Sequence, residues 1–317
     1  MASRNGGTYF QGFLRNLLSN PRLIGELGSY SLRFFRERVR ELGRGIQPAP
    51  FRPEPRTWND NGITAAWLGH STVLLNFYGV NILTDPALFP RIGADLRLGV
   101  VGPRRLTHSA LKLAELPPID LVLLSHAHMD HTDWHTLRQI PYSTRVICAR
   151  GNRDLVAGKR FVSTEMGWND RCTVQTRNGP VQVEAFEVCH WGSRWRVDTH
   201  RGYNGYIIQR EGKRILFGGD TAFCGHFRNL RAKGPFALAC MPIGAYDPWR
   251  HAHCTPEEAV QMASEAGSEL ILPMHHQTFL LSREPVREPI ERFQEALGKE
   301  PERIAVREIG ETFFLHD

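Results

Sequence analysis

A short segment near the middle of the chain concentrates side chains that bind metal ions. The run His126-Ala-His128-Met-Asp130-His131 places three imidazoles and a carboxylate directly after an apolar stretch, residues 121–124. Imidazole nitrogens and carboxylate oxygens are ligands of zinc and related divalent ions. The absence of a nearby thiol argues against a closed structural zinc site. His126 and His128 alternate and can point the same way, whereas Asp130 and His131 continue into a turn. The run therefore predicts ligands for two adjacent metals.

Two clustered metals need more ligands than one loop provides. Three isolated polar residues, His190, Asp220 and His275, each follow an apolar strand-like stretch. Taken singly, each could equally be an ordinary hydrogen-bonded polar residue, but together they are expected to converge on one edge of the sheets. Glycines beside Asp220 permit close backbone approach, and its carboxylate could bridge two cations. Asp133 is expected to orient a ligating imidazole from behind.

The elements that position these residues are predicted from hydrophobic patterning. Strands are predicted over residues 63–68, 72–77, 80–83, 121–124, 145–148, 181–187, 206–209, 215–217, 237–241 and 270–272. Helical patterns lie at 152–155 and 257–266, and the second has Thr255 as its N-cap, Glu258 completing a capping box, and Gly267 as its stop. Strands in both halves with helices between them predict sheets covered by helices.

Composition is that of a globular protein, with 317 residues, 41% hydrophobic and 23% charged. No apolar run approaches the roughly 18 residues of a membrane span, and no secretory signal is evident. The six cysteines form no CxxC pair, which favours a reducing compartment and small core residues over a disulfide framework. These features predict a cytoplasmic protein.

The amino-terminal segment, residues 1–58, is basic and partly apolar. It holds ten arginines and four glutamates, and so carries the whole net charge of +6. Residues 10–42 have amphipathic spacing, interrupted by Pro21 and two glycines, and residues 47–56 hold four prolines that predict a linker. The arm could pack on the following domain, lie at a membrane surface as a peripheral contact, or be a cleaved targeting segment.

The chain resembles the metallo-β-lactamase superfamily, whose HxHxDH signature matches residues 126–131. Within it, the similarity is to N-acylphosphatidylethanolamine-hydrolysing phospholipases D over roughly residues 64–280. The matching stretches are Trp67-Leu-Gly-His-Ser71, Leu83-Thr-Asp-Pro86, Glu115-Leu-Pro-Pro-Ile-Asp120, Gly219-Asp-Thr221, Pro242-Ile-Gly-Ala-Tyr246, Pro256-Glu-Glu-Ala259, and His275 with Thr278-Phe279.

This resemblance implies an α/β fold of the four-layer αββα sandwich type over residues 59–317, with residues 1–58 as an extension. It implies two divalent metal ions, most readily zinc. The first would be held by His126, His128 and His190, the second by Asp130, His131 and His275, with Asp220 bridging them. It also implies catalytic roles for Asp130 and His253. The loop between Tyr246 and His253 is shorter than expected in the animal phospholipases. His276 is an alternative to His275 as the metal ligand, and the register of the motif favours His275.

The expected activity is a phosphodiesterase of phospholipase D type, acting on N-acylphosphatidylethanolamine-like lipids through a hydroxide held between the metals. Because that nucleophile attacks a carbonyl equally well, a lactonase or another ester or thioester hydrolase is the alternative. A nuclease and a non-catalytic metal-binding module are weaker alternatives, since residues 59–317 are near neutral and the predicted ligands leave room for water. We expect a phospholipid or other small-molecule substrate and no nucleic acid; the sequence leaves a homodimer open.

Overall fold

Two β-sheets form the framework of the protein in a computed structural model, which describes residues 36–37, 39–41, 43–95, 99–156, 161–195 and 197–316. The strands are β1 (Gly62–Gly69), β2 (Thr72–Phe77), β3 (Val80–Thr84), β4 (Ala94–Asp95), β5 (Val100–Val101), β6 (Leu121–Leu124), β7 (Arg145–Ala149), β8 (Val162–Met166), β9 (Arg171–Thr176), β10 (Gly179–Phe186), β11 (Gly205–Arg210), β12 (Lys213–Phe217), β13 (Phe236–Pro242), β14 (Ser268–Met274) and β15 (Thr312–His316). Every predicted strand is present. Strands β4, β5, β8, β9 and β15 were not predicted.

The first sheet has seven strands in the order β15-β1-β2-β3-β6-β7-β8, and the second has six in the order β14-β13-β12-β11-β10-β9. Strands β4 and β5 form a small separate ribbon. Strands β3, β6, β7 and β8 pair in parallel, as do β12, β13 and β14, while the remaining pairs within the two large sheets are antiparallel. One buried cluster unites both sheets, including Leu74 and Val122 of the first and Val183 and Ile208 of the second.

Helices cover the outer faces of the sheets. They are α1 (Trp134–Leu137), α2 (His226–Leu230), α3 (Pro256–Ala266) and α4 (Glu288–Leu297), with 3-10 turns at Pro55–Thr57, Leu113–Glu115, Arg153–Leu155, Arg231–Lys233 and Pro301–Arg303. A second buried cluster joins α2, α3 and α4 to the outer face of the second sheet, and Leu137 of α1 belongs to the first cluster. The predicted αββα sandwich is confirmed.

The predicted boundaries of helix α3 are confirmed by its capping. Thr255 accepts a hydrogen bond from Glu258 N, the Glu258 side chain accepts from Thr255 N, and Gly267 ends the helix at a φ of 83°. The helix predicted at 152–155 is wrong, because Arg153–Leu155 forms only a 3-10 turn. Helix α4, which buries Ile290 and Phe293, was not predicted.

The Pro-rich segment, residues 47–56, lies against the sandwich. Gln47 N donates to Leu106 O, His108 N donates to Gln47 O, and Phe51 N donates to Ile309 O. Of the predicted amphipathic arm, residues 10–42, only residues 36–37 and 39–41 are described, so the prediction for the rest of the arm lies outside the described residues. Among the described residues, no helix is both long and apolar enough to cross a membrane.

Candidate metal centre

The predicted ligands meet because their strands run in the same direction. Strand β1 is antiparallel to β2, and β2 to β3, so β1, β3 and β6 point the same way. The second sheet repeats this arrangement, since β10, β12, β13 and β14 all share one direction. Loops that leave these strands therefore gather at one edge of the sandwich, as the carboxyl ends of parallel strands do in other α/β folds.

The first cluster joins His126, His128 and His190 to Asp220. His128 Nδ1 lies 2.8 Å from His126 Nε2 and 3.3 Å from His190 Nε2. His190 Nε2 lies 3.8 Å from Asp220 Oδ2. Three imidazole nitrogens therefore face one another around a carboxylate oxygen, with the loop after β6 contributing two of them.

The second cluster contains Asp130, His131 and His275, together with His70. Asp130 Oδ2 lies 2.8 Å from His70 Nε2, 3.6 Å from His131 Nε2 and 3.7 Å from His275 Nε2. His70 follows strand β1, and its ring is buried like those of His131 and His275. His70 was not among the ligands predicted from the sequence.

Asp220 lies between the two clusters. Its Oδ2 is 3.2 Å from His131 Nε2 and 3.1 Å from His275 Nε2, in addition to its approach to His190. Within the described part of the chain, Asp220 Oδ1 and His131 Nε2 are buried without a hydrogen-bond partner. Unpartnered buried donors and acceptors are rare, and this set of nitrogens and oxygens fits one or two divalent cations.

The charge states of the site are consistent with cation binding. Burial, followed by the neighbouring imidazoles, holds the pKa of His126 well below its usual value. Burial lowers the pKa of His128 to about 4. In the second cluster burial also opposes the charged imidazole, but the carboxylate of Asp220 raises the pKa of His275 to about 9. Neutral imidazoles can ligate a metal. In the second cluster the carboxylates favour a protonated imidazole, and a bound cation would supply the positive charge in place of that proton.

Hydrogen bonds from outside the clusters fix the imidazoles. Asp85, which follows β3, accepts from His131 Nδ1 at 2.7 Å and from Ser125 N at 2.7 Å. His190 Nδ1 donates to Ala252 O at 2.9 Å. Such bonds turn the other ring nitrogen toward the cluster. Asp85 was not predicted for this role.

The prediction that Asp133 orients a ligating imidazole is wrong. Its side chain is the N-cap of α1, where it accepts from His135 N, Thr136 N and Thr136 Oγ1. A carboxylate immediately before a helix satisfies the free amides of the first turn. Asp133 therefore holds the loop that carries the ligands and does not contact the rings.

Three residues of the site adopt backbone conformations that residues other than glycine rarely adopt. The φ angles of His70, Asp85 and His275 are 53°, 33° and 65°. The strained turns are tied together, because His275 N donates to His70 O and His70 N donates to Thr278 Oγ1. Strain held in this way clusters at functional sites.

His253 lies beside the clusters and His276 does not. His253 Nδ1 is 3.8 Å from Asp220 Oδ2, and the ring contacts those of His190 and His275. Burial lowers the pKa of His253 to about 3, so its imidazole is neutral at physiological pH. The neighbouring His276 stacks on Trp67, with ring centroids 4.4 Å apart, and belongs to neither cluster.

A cavity of about 390 Å³ opens next to the centre. It is lined by His128, Met129, Asp130, Trp191, Ser193, Arg194 and Trp195. Trp195 is 50% exposed at the mouth, whereas Arg194 is held inside by bonds from Nη1 to Ala127 O and Thr132 O. The cavity therefore brings together one potential ligand from each cluster, two tryptophans and the guanidinium of Arg194.

The hydrogen bond from His131 to Asp85 provides the first test. Asp85→Asn is expected to weaken metal binding about ten- to a hundredfold, because outer hydrogen bonds to metal-ligating histidines have effects of that size. Metal affinity is measured by competition with a chelator. Asp120→Asn is the matched control: Asp120 is a buried carboxylate at the opposite end of β6 that accepts from Asn81 N. Equal affinity in the two variants would contradict the assigned role.

Sequence comparisons identify the family. Residues 80–276 match the model of the beta-lactamase superfamily domain. The chain belongs to the metallo-β-lactamase superfamily of hydrolases. It is 33% identical over 256 residues to an uncharacterized protein of Mycobacterium tuberculosis, an alignment that covers 77% of this chain and 66% of that protein.

Named relatives and solved structures agree with this family. N-acyl-phosphatidylethanolamine-hydrolyzing phospholipase D 1 of Caenorhabditis elegans is 30% identical over 255 residues, covering 75% of this chain and 71% of that protein. Igni18, a metallo hydrolase from Ignicoccus hospitalis, aligns with a TM-score of 0.60 at 20% identity, covering 80% of this chain and 99% of that one. Isothiocyanate hydrolase from Delia radicum gut bacteria gives a TM-score of 0.61 at 15% identity, covering 80% and 100%. The two structures share the fold.

Proposed function

We propose that this protein is a binuclear-metal phosphodiesterase of phospholipase D type, acting on N-acylphosphatidylethanolamine-like phospholipids. The observation that carries the proposal is the cavity beside the two clusters, where Arg194 and two tryptophans stand within reach of potential metal ligands. An anionic phosphodiester with acyl chains has use for each of these features, whereas a lactone needs no cation. The similarity to the nematode phospholipase supports the same substrate class.

The proposed metals are two divalent ions, most readily zinc. When bound, such ions supply Lewis acidity toward phosphoryl oxygens and activate water at neutral pH. His126, His128 and His190 would hold one ion, and Asp130, His131 and His275 the other, with Asp220 shared. His70 extends the second group. The protein itself contributes the fixed orientation of these side chains, which buried hydrogen bonds hold before substrate arrives.

Arg194 and His253 are the residues proposed to contact the phosphate. Burial lowers the pKa of Arg194 only to about 10, so its guanidinium stays charged at neutral pH. His253 is neutral and unpartnered at Nδ1 among the described residues, which suits a hydrogen bond to a phosphate or leaving-group oxygen. A neutral imidazole cannot deliver a proton by itself, so we assign His253 to orientation of the substrate.

The walls of the cavity suit the apolar part of a lipid. The cavity presents the large apolar surfaces of Trp191, Trp195 and Met129 beside the centre. Phe223, which follows Asp220 closely in the chain, is 43% exposed. The basic arm, residues 10–42, supports a substrate located in a bilayer, because clustered arginines favour anionic lipid surfaces. Peripheral membrane contact through this arm is part of the proposal.

A comparison of substrates tests the proposal. Zinc-loaded protein is assayed with N-acylphosphatidylethanolamine in mixed micelles, a small soluble phosphodiester, and several lactones. We expect hydrolysis of both phosphodiesters, with release of phosphatidic acid and an N-acylethanolamine from the lipid. Efficient lactone opening without phosphodiester hydrolysis would support the carbonyl hydrolase instead, and would remove the lipid proposal.

Trp195 provides a sharper prediction within that assay. Trp195→Ala is expected to lower kcat/KM for the lipid roughly tenfold or more, since loss of a large apolar contact costs about 1.5–3 kcal/mol. Activity on the small phosphodiester is expected to change little. Phe314→Ala is the control, because Phe314 is an aromatic residue of similar exposure on edge strand β15, away from the lining of the cavity. An equal loss for both substrates would argue against an acyl-chain contact.

A further inference from the structure

A third group of potential metal ligands lies outside the candidate metal centre. Cys189, Cys224 and His226 each offer one donor atom, and these three atoms all lie within 4.8 Å of one another. All three residues are half-buried, and both cysteines are free thiols. A fourth donor stands nearby, because Glu187 Oε1 is 3.8 Å from His226 Nε2.

The two chain segments that carry these residues are joined by hydrogen bonds. Cys189 N donates to Thr221 Oγ1 at 3.0 Å, and Ala222 N donates to Cys189 O at 2.8 Å. Thr221 Oγ1 also approaches Cys224 Sγ at 3.9 Å. These hydrogen bonds fix the backbone of one loop against the other loop, and so hold the two thiols near each other.

We propose that Cys189, Cys224 and His226, with Glu187 or water as the fourth ligand, form a separate binding site for a thiophilic divalent metal ion. Two sulfurs and an imidazole are a donor set of zinc and its analogues cobalt and cadmium. Binding would release two thiol protons to solvent, since a coordinating thiol is deprotonated. The site goes beyond the proposed function and does not depend on it.

The position of this site gives it a structural consequence. Cys189 directly precedes His190, and Thr221 directly follows Asp220, so the site lies behind two potential ligands of the candidate metal centre. An ion bound to both thiols would fasten the loop after β10 to the loop after β12. The tie would hold His190 and Asp220 at their present separation without taking part in the reaction.

Cobalt spectroscopy distinguishes this site from the candidate metal centre. Sulfur ligands give cobalt(II) a strong near-ultraviolet charge-transfer band, whereas nitrogen and oxygen ligands give only weak visible bands. Metal-free full-length protein, kept reduced with a phosphine, is titrated with cobalt(II). We expect the near-ultraviolet band in the wild type, its loss in Cys224→Ser and Cys189→Ser, and one bound metal ion fewer per chain in each variant.

Two controls keep the test decisive. Cys172→Ser is the matched variant, because Cys172 is a half-buried thiol on β9 that belongs to none of the groups of potential metal ligands found among the described residues, and it should retain the band. In the wild type alone, zinc should protect Cys189 and Cys224 from iodoacetamide, read by peptide mass spectrometry, so the result does not depend on the folding of any variant. Absence of the band in wild type, its survival in Cys224→Ser, or equal alkylation with and without zinc would overturn the proposal.

Discussion

Replacing Asp220 with asparagine is expected to lower metal-dependent hydrolysis by about a thousandfold or more. Asp220 Oδ2 lies within 4 Å of imidazole nitrogens from both clusters, including His131 and His275. Asparagine keeps the shape of the side chain but loses its charge. Because bound metals supply several kcal/mol of transition-state stabilisation, the loss of about 4 kcal/mol corresponds to this factor. The measurements are metal content per chain and the rate of hydrolysis of a small phosphodiester.

The control for this variant is Asp133→Asn. Asp133 is also a buried carboxylate near the HxHxDH loop, but it caps helix α1 and asparagine caps a helix about as well. We expect its metal content and rate to stay within about twofold of wild type. If Asp220→Asn retained the metal content of the wild type and most of its activity, Asp220 could not be the shared ligand proposed for the two clusters.

The framework of the site could be predicted from the sequence because several of its strands are predominantly apolar. Strands β2, β6 and β13 are buried along their whole length, and such runs stand out in a sequence. Strand β9 has mostly exposed or half-exposed residues at a sheet edge, and β8 has one buried residue in five. Their Val and Thr residues favour strands, but the many polar residues between them leave a weak signal, which pairing with a neighbour completes.

The same difference applies to the site residues. His190, Asp220 and His275 could be predicted because each follows a strand that was recognised. His70 and Asp85 follow the predicted strands β1 and β3 in the same way, so their positions in the sequence mark them as candidates too. What the sequence could not show is that β1 and β3 point toward the same edge as β12 and β14, because that depends on the sheet order.

The mistaken role of Asp133 has a different cause. Its spacing from His131 allowed contact with a ligating ring, but the chain turns into α1 at that point and the free amides of the helix compete for the carboxylate. Asp85, 46 residues earlier in the chain, makes the bond to His131 instead. Outer hydrogen bonds of this kind join distant segments, so residue spacing does not reveal them.

Removal of the proposed metal ions is expected to lower Tm by about 10 °C. A ligand present at a thousand times its Kd stabilises the folded state by about 4 kcal/mol, and in a domain of this size each kcal/mol corresponds to roughly 2–4 °C. The physical reason is local: without cations, Asp220 Oδ1 and the Nε2 atoms of His131 and His275 are buried without a hydrogen-bond partner among the described residues. Thermal unfolding of chelated and zinc-loaded protein measures the difference.

The size of that difference should depend on pH with a defined sign. In the metal-free protein, burial opposes the charge on His275, but Asp220 raises its pKa to about 9 from 6.5. A raised pKa stabilises the folded state fully below pH 6.5, and this contribution is lost as the pH rises through 9. Zinc binding also becomes easier over the same range, because His275 must be deprotonated to ligate. The difference in Tm between zinc-loaded and metal-free protein should therefore widen from pH 6.5 to 9.

A difference in Tm that narrows with rising pH would contradict the assignment of His275 to the metal centre. The control is His276→Gln, which alters the neighbouring imidazole and should leave the trend unchanged.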